Sequence, residues 1–384
     1  MHAPAVITDM EFELTDQQRL IRRMASDLAR EEFAADAFTW EHEFPEANME
    51  TLAEQGLLGI SLPEEYGGGG FSVVEVLLAQ EAVGRVCPDT AHVLSRSSMG
   101  APRAIAELGT EYLKERYLSD VCAGDAVMSV AISETGAGSD AGAMETTAER
   151  DGDDVVINGE KTWITKADRA TAFLVYARFP DGNVGAVVVD ADAPGCELGE
   201  GYENMAGHLQ HEIRFDDCAV PGEHVLAHGA ESFKRLLISF NVERCHNAMM
   251  CVACGLNAFD RALEYSGQRE QFGQPIREFQ VIEHKLADMA IKLDAARLMI
   301  YRAASNAVVD EPSRLETSMA KVIANEFGQD VIDEALQIHG ANGYTKGSPI
   351  EYLYRWVRGW KIAGGTVEVQ RNMIAKDLKK YGLD

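Results

Sequence analysis

Ile132-Ser133-Glu134-Thr135-Gly136-Ala137-Gly138-Ser139-Asp140 and, further on, Asn158-Gly159-Glu160-Lys161-Thr162-Trp163-Ile164-Thr165 frame the stretch from which the organisation of this chain is read. Gly136 and Gly138 let a backbone approach a ligand closely, Ser133, Ser139 and Thr165 offer hydroxyls to anionic or carbonyl oxygens, and Trp163 can stack on a flat ring. The pair reads as a cofactor cradle. A Gly-x-Gly-Ser-Asp run also makes an ordinary tight turn between strands, and the stretch alone does not separate the two. Around it, over 121–228, short β-rich runs recur (Val155-Val156-Ile157, Ala172-Phe173-Leu174-Val175-Tyr176, Val187-Val188-Val189), parted by Asp, Gly and Pro turns.

Upstream the pattern is helical. Thr15-Asp16-Gln17-Gln18 is a capping box, Leu20, Ile21, Met24 and Leu28 follow as one apolar stripe, and the glycine run 67–70 breaks the pattern into a loop. Downstream, long helical patterns cover 233–268, 278–309 and 315–339, as a bundle requires. The order α, β, α predicts an α+β fold, mostly α, with an N-terminal helical domain (1–120), a middle β domain (121–228) and a C-terminal helical bundle (229–384).

The 384 residues are 46% hydrophobic, enough for a large core. No run of 18 apolar residues occurs and the first residues lack a secretory pattern, so a cytoplasmic protein is expected. With 62 acidic against 35 basic residues the net charge is −27, which argues against nucleic acid or an anionic membrane as partner. The acidic excess is scattered, suggesting a strongly hydrated surface adapted to salt. The seven cysteines read as reduced thiols, and Cys251-Val252-Ala253-Cys254 reads as a buried helix face rather than a redox or metal site. His208 and His211 lie close together on what reads as a loop leading into a strand; no metal site is expected.

Three further motifs lie downstream: Arg269-Glu270-Gln271-Phe272-Gly273 with Phe279-Gln280; Gln337-Ile338-His339-Gly340-Ala341-Asn342-Gly343-Tyr344; and Gly364-Gly365-Thr366-Val367-Glu368-Val369-Gln370-Arg371-Asn372. In this order, with the opening stretch, they resemble the acyl-CoA dehydrogenase family of flavoproteins along essentially the whole chain. The resemblance implies an N-terminal helical domain, a middle β domain and a C-terminal four-helix bundle, with FAD held by the β domain and the bundle. It implies flavin contacts from Val130, Ile132, Ser133, Gly138, Ser139, Trp163 and Thr165, and from Thr366 and Glu368. Arg269, Gln271, Phe272, Gln280, Gln337, Gly340 and Ala341 are implied as contacts to the FAD of a neighbouring subunit, hence at least a dimer and by family habit a dimer of dimers. An Arg fork facing a pyrophosphate can donate two charge-assisted hydrogen bonds.

The implied reaction is α,β-dehydrogenation of an acyl-CoA thioester: a carboxylate removes the α-proton, the β-hydrogen leaves as hydride to flavin N5, and the electrons pass to an electron-transfer flavoprotein. The thioester carbonyl must be hydrogen-bonded as enolate charge develops, with water excluded. In much of the family the base is a Glu just before the Gly-Thr of the last motif. Here that position is Gly364, which has no side chain but keeps a backbone N–H for the carbonyl. Isovaleryl-CoA and long-chain acyl-CoA dehydrogenases instead carry the base directly before an Arg on a C-terminal helix, and Phe240-Asn241-Val242-Glu243-Arg244 matches that pattern. Glu243 is therefore the expected base, its alternative being a solvated Glu near a helix N-terminus. Asn241 and Arg244 are implied contacts to CoA, and Ser139 to substrate or flavin.

Ala363 and Gly364 stand where the family has Tyr and Glu, and with Gly365 they leave room for wide or branched acyl groups. Arg96, in the helical stretch 91–98, reads either as a partner for a terminal carboxylate on the acyl chain or as a surface Arg. Thr135 replaces a usual Pro, 204–211 is a short His-rich loop, and Trp356 replaces an expected Asp; these departures bear on specificity. Two other functions stay open beside the dehydrogenase: an enoyl-CoA reductase or non-redox CoA-ester enzyme of the same fold, and an inactive CoA-binding subunit.

Overall fold

The computed structural model describes residues 13–41, 43–309 and 312–383. In chain order the longer elements are helices α1 (Asp16–Leu28), α2 (Glu46–Glu54), α3 (Val73–Gly84), α4 (Pro88–Ser98), α5 (Ala101–Leu108) and α6 (Glu111–Ala123). Strands β1 (Met128–Ala131), β2 (Thr147–Asp151), β3 (Asp154–Thr165), β4 (Ala172–Arg178), β5 (Val184–Asp190), β6 (Cys196–Glu203), β7 (Leu209–Pro221) and β8 (Val225–Ala227) follow. The rest is α7 (Ser232–Gln268), the short strands β9 (Glu270–Gln271) and β10 (Gln274–Pro275), α8 (Gln280–Val309), α9 (Arg314–His339), α10 (Ala341–Tyr344), α11 (Pro349–Arg358) and α12 (Val367–Tyr381). The protein is mostly helical, with helical N- and C-terminal regions and a central sheet, as the α, β, α reading predicts.

By packing, the chain forms two compact units: residues 1–40, 73–92 and 241–384 in one, 41–72 and 93–240 in the other. The second unit holds the sheet, in the order β6-β7-β3-β2-β4-β5-β8 with β1 beside β4. Strand β4 has no solvent face, because its side chains alternate between two cores. Leu174 and Tyr176 pack with Ile105, Leu113 and Leu118 of α5 and α6, while Phe173 and Val175 pack with Ile157, Ile213 and Phe215 of β3 and β7. Helix α6 runs to Ala123, past the expected change of pattern at 121, because Leu118, Val121 and Cys122 are buried in the first of these cores.

The other unit is built on the long helices. Helices α8 and α12 both pack along α9, and α7 joins them where glycines permit a close crossing. A Cβ on Gly328 of α9 would fall 2.6 Å from the Cys251 carbonyl of α7, and one on Gly255 would fall 2.7 Å from Leu293 of α8. These four helices are the expected bundle. Cys251 and Cys254 are fully buried on α7 and burial pushes both thiols up, Cys251 to about 12, so they are inert packing groups as read from the sequence. Helix α3 is held to the bundle by buried Glu81, which accepts from Arg297 Nη2 at 2.8 Å and Tyr301 Oη at 2.9 Å.

Helix α1 starts with the capping box as read, Thr15 Oγ1 accepting from Gln18 N and Gln18 Oε1 from Thr15 N. Its buried face differs from the expected stripe. Ile21 and Ala25 are the buried residues of α1, whereas Leu20 is 61% exposed and Met24 is also exposed. Gln18, on the same side of the helix as Ile21 and Ala25, donates its amide to Glu75 of α3.

Candidate active site

In the sheet unit the 132–165 stretch is pinned from inside. Lys161 is fully buried, and its ammonium donates to Ile132 O at 3.1 Å and Glu134 Oε1 at 2.7 Å. Burial pulls the Lys161 ammonium down from its ordinary value. Burial pushes the Glu134 carboxyl up, but the Glu145 N–H, Lys161 and Thr146 more than offset this, so its net shift is downward and the pair stays ionic. Thr162 N donates to Ser133 O at 2.9 Å and ties strand β3 to the turn.

Beside this tie, β3 slips register against β7 between Lys161 and Ile164. The bulge puts Trp163 at φ +61, a conformation that bulky residues avoid, with its indole more than half exposed. Thr165 Oγ1 accepts from Gln210 Nε2 at 3.3 Å. Gly136 and Gly138 have negative φ, with open space where a Cβ would lie, and Ser139 is exposed. A strained, outward-facing indole next to exposed hydroxyls and an uncrowded glycine turn fits a flat, polar-edged ring system, so the observed geometry suits the flavin contacts expected of Ile132, Ser133, Gly138, Ser139, Trp163 and Thr165. Val130, on β1, is half-buried.

In the bundle unit Glu243 sits on α7, twelve residues in from Ser232, and is only 2% exposed. The solvated-surface alternative is therefore excluded. Asn247, one turn along α7 on the same side, is 5% exposed and its amide makes no hydrogen bond to any described residue. Its Nδ2 stands 2.4 Å from the point where a Cβ on Gly364 would be. Gly364 (φ +65) and Gly365 (φ +84) are successive left-handed residues. Their carbonyls are taken, Gly364 O by Gln370 Nε2 and Gly365 O by both Gln370 and Lys321 Nζ. Their N–H groups donate to nothing among the described residues. Lys321 also donates to Trp360 O at 3.0 Å; burial pushes its ammonium down to about 8. Thr366 caps α12 by accepting from Val369 N, and Glu368 is exposed in its first turn.

Asn241 and Arg244 are buried rather than projecting. Arg244 Nη1 donates to Asn241 Oδ1 at 2.6 Å, and Asn241 Nδ2 donates to Pro312 O. Burial, and next the charge of Arg314, lower the Arg244 guanidinium to about 10, and it has no ion-pair partner among the described residues. A buried guanidinium of this kind calls for an anionic ligand. Arg96, in the sheet unit, is half-buried with its guanidinium folded against Gly100.

The downstream motifs also gather. Phe272 (φ +54) and Gly273 (φ +83) form a two-residue turn of the primed type between β9 and β10. Phe272 is 94% exposed, so it is no core aromatic; only the edge of Phe279 lies near it. Arg269, Gln271 and Gln280 are exposed around this hairpin. The exposed turn carrying Gln337, Gly340 and Ala341 is fixed nearby, since Asn342 Nδ2 donates to Tyr265 Oη and His339 stacks on the Tyr265 ring at 4.5 Å, one turn before Arg269. No group of three or more His, Cys, Asp or Glu placed to hold a metal occurs among the described residues.

The chain matches the family models for the acyl-CoA dehydrogenase N-terminal domain over 15–125, middle domain over 129–218 and C-terminal domain over 233–379. It belongs to the acyl-CoA dehydrogenase family. It is an oxidoreductase and a flavoprotein, with FAD as cofactor. Among its relatives it is 38% identical to the probable acyl-CoA dehydrogenase YngJ of Bacillus subtilis, over 97% of this chain and 100% of that one. It is 37% identical to the 3-sulfinopropanoyl-CoA desulfinase of Paraburkholderia xenovorans, over 96% and 97%. The solved butyryl-CoA dehydrogenase of Megasphaera elsdenii superposes with a TM-score of 0.92 at 29% identity, covering 97% of this chain and 100% of that one.

Sequence reasoning missed Asn247, Lys321 and the Glu134–Lys161 pair. A polar side chain inside an otherwise apolar helical run marks the first two: Asn247 stands just before Ala248-Met249-Met250, and Lys321 stands between Ala320 and Val322.

Proposed function

We propose that the protein removes hydrogen from Cα and Cβ of an acyl-CoA thioester, with Glu243 as the base. One observation carries this: the buried carboxylate stands one helical turn before Asn247, whose amide touches the place a side chain at 364 would occupy. That adjacency supports the reading that the two positions from which this family can deliver a base address one spot. FAD supplies the acceptor for the hydride that leaves Cβ.

The protein's own residues do the rest. The unengaged N–H groups of Gly364 and Gly365 offer two donors to the thioester oxygen, where charge grows as Glu243 takes the α-proton. Lys321 and Gln370 fix that loop by its carbonyls, and burial of Glu243 keeps water from the carboxylate. Arg244, steadied by Asn241, receives an anionic or strongly polar part of CoA. Val130, Ile132, Ser133, Gly138, Ser139, Trp163, Thr165, Thr366 and Glu368 hold the flavin. The hairpin residues Arg269, Gln271, Phe272 and Gln280, with Gln337, Gly340 and Ala341, face a second copy in a dimer of dimers. An electron-transfer flavoprotein takes the electrons, in a cytoplasmic setting, and the segments 1–120, 121–228 and 229–384 act as three domains. Ala363, Gly364 and Gly365 leave space for branched acyl groups, and Arg96 borders the far end of the chain.

Glu243→Gln is expected to slow bleaching of the flavin by acyl-CoA by about 100-fold to 10,000-fold while FAD stays bound. A variant with full activity refutes the assignment. The likeness to a desulfinase keeps a second chemistry in view, in which the same Cα proton removal serves a non-redox elimination or the enzyme runs as a reductase. Product analysis after anaerobic mixing separates them, since dehydrogenation alone yields an enoyl-CoA with stoichiometric loss of flavin colour.

A further inference from the structure

Beside Gly364 stands the carboxamide of Asn247, a buried residue to which the proposed reaction gives no task. That carboxamide carries two donors and an acceptor, belongs to a residue only 5% exposed, and pairs with nothing among the described residues. Its amide atoms are not among the side-chain atoms shut off from solvent without a partner, so they keep an open side that an entering molecule can reach. The carboxamide lies against the Gly364 Cβ position at 2.4 Å, with the Lys321 side chain 3.7 Å from the same point, and one turn from Glu243. Lys321 does not satisfy it, because its ammonium is turned to the Trp360 and Gly365 carbonyls. A substrate that reaches Asn247 meets it close to the carbons on which Glu243 acts.

We propose that Asn247 is a specificity-determining residue that recognises an uncharged oxygen substituent, hydroxyl or keto, on the acyl chain one or two bonds from the reacting carbons. The inference rests on the reading of Glu243 as base. A carboxylate substituent is disfavoured there, since it would sit beside the Glu243 carboxylate. A site built to hydrogen-bond an oxygen discriminates strongly against the chain that lacks it, because its own buried group is then left unpaired.

The test uses the FAD-loaded full chain and three acyl-CoA esters of equal length: valeryl-CoA, 4-hydroxyvaleryl-CoA and 4-oxovaleryl-CoA. Wild type and Asn247→Leu are compared by kcat/KM with an artificial acceptor and by calorimetric Kd in the Glu243→Gln background, where binding is read without turnover. Wild type is expected to favour at least one oxygenated ester over valeryl-CoA by about tenfold or more, and Asn247→Leu to erase or invert that preference in both kcat/KM and Kd. Equal losses for all three esters would show that the amide meets the common thioester and would overturn the proposal, as would an unchanged preference. If Asn247→Leu does not fold, Asn247→Ser, which keeps a shorter hydrogen-bonding group, must retain part of the preference. Turnover of valeryl-CoA without any Asn247-dependent preference defeats this inference alone, whereas turnover that survives Glu243→Gln defeats the reading beneath it.

Discussion

Gly364 shows how far one missing side chain reaches. Moving the base back to this position is not a matter of adding a carboxylate, because the residue holds φ +65 and any Cβ meets Asn247. In a Glu243→Ala background, Gly364→Glu is expected to restore measurable turnover only when Asn247→Ala is added to clear the space; recovery in the double variant alone would mean that the loop yields more easily than its hydrogen bonds imply. Lys321 offers a second check at this scale. Its native value of about 8 lies below the ordinary 10.5, so between the two the unfolded chain binds a proton that the native chain does not, and the contribution of this group to stability rises with pH across that window. Below it, the fold must carry a buried ammonium. Urea melts at about pH 7.5 and about pH 10 should show wild type gaining stability relative to Lys321→Met at the higher pH; a relative loss would place the proton elsewhere.

At the scale of elements, what the sequence makes legible is what local hydrogen bonds and spacing decide. Thr15 and Gln18 cap α1 wherever that helix lies, and the runs at Phe173 and Val187 are strands because no polar residue interrupts them. The face α1 buries is not local: Leu20 is as apolar as Ile21, and it is Ile21, on the side of the Gln18–Glu75 bond, that packs inward. Asn247 and Lys321 stand out in the sequence only as polar residues in apolar runs, and what they do there is not local, since the loop they meet lies more than 40 positions beyond Lys321 and over 100 beyond Asn247, as the numbering of Gly365 and Gly364 shows. The β9–β10 hairpin yields a prediction with two opposed signs. Asn tolerates φ +54 better than Phe does, so Phe272→Asn should leave the melting temperature equal or raised by the equivalent of about 0.5–1 kcal/mol. If the tip docks on a second copy, the same variant should sediment as a smaller species than wild type and retain less FAD. Unchanged sedimentation would remove Phe272 from the interface.

Taken whole, the molecule carries a net charge of −27 on 384 residues, and the ion pairs it makes are mostly at the surface, where each contributes little. Self-repulsion of the acidic excess is then the larger electrostatic effect. Raising NaCl from about 0.05 M to about 1 M shortens the screening length to roughly 3 Å and should raise the melting temperature by at least ~3 °C. A fall in Tm over that range would mean that attractive pairs dominate instead.

Strand β4 lies between β1 or β2 on one side and β5 on the other, with a hydrophobic core against each of its faces. Its amides have no route to solvent short of parting the sheet. In deuterated buffer the N–H groups of Phe173, Val175 and Ala177 should be among the last in their unit to exchange, at a rate that reports opening of the whole sheet. The strand thus contains its own clock for global opening, against which the faster exchange of the Gly136–Gly138 turn can be timed with and without flavin.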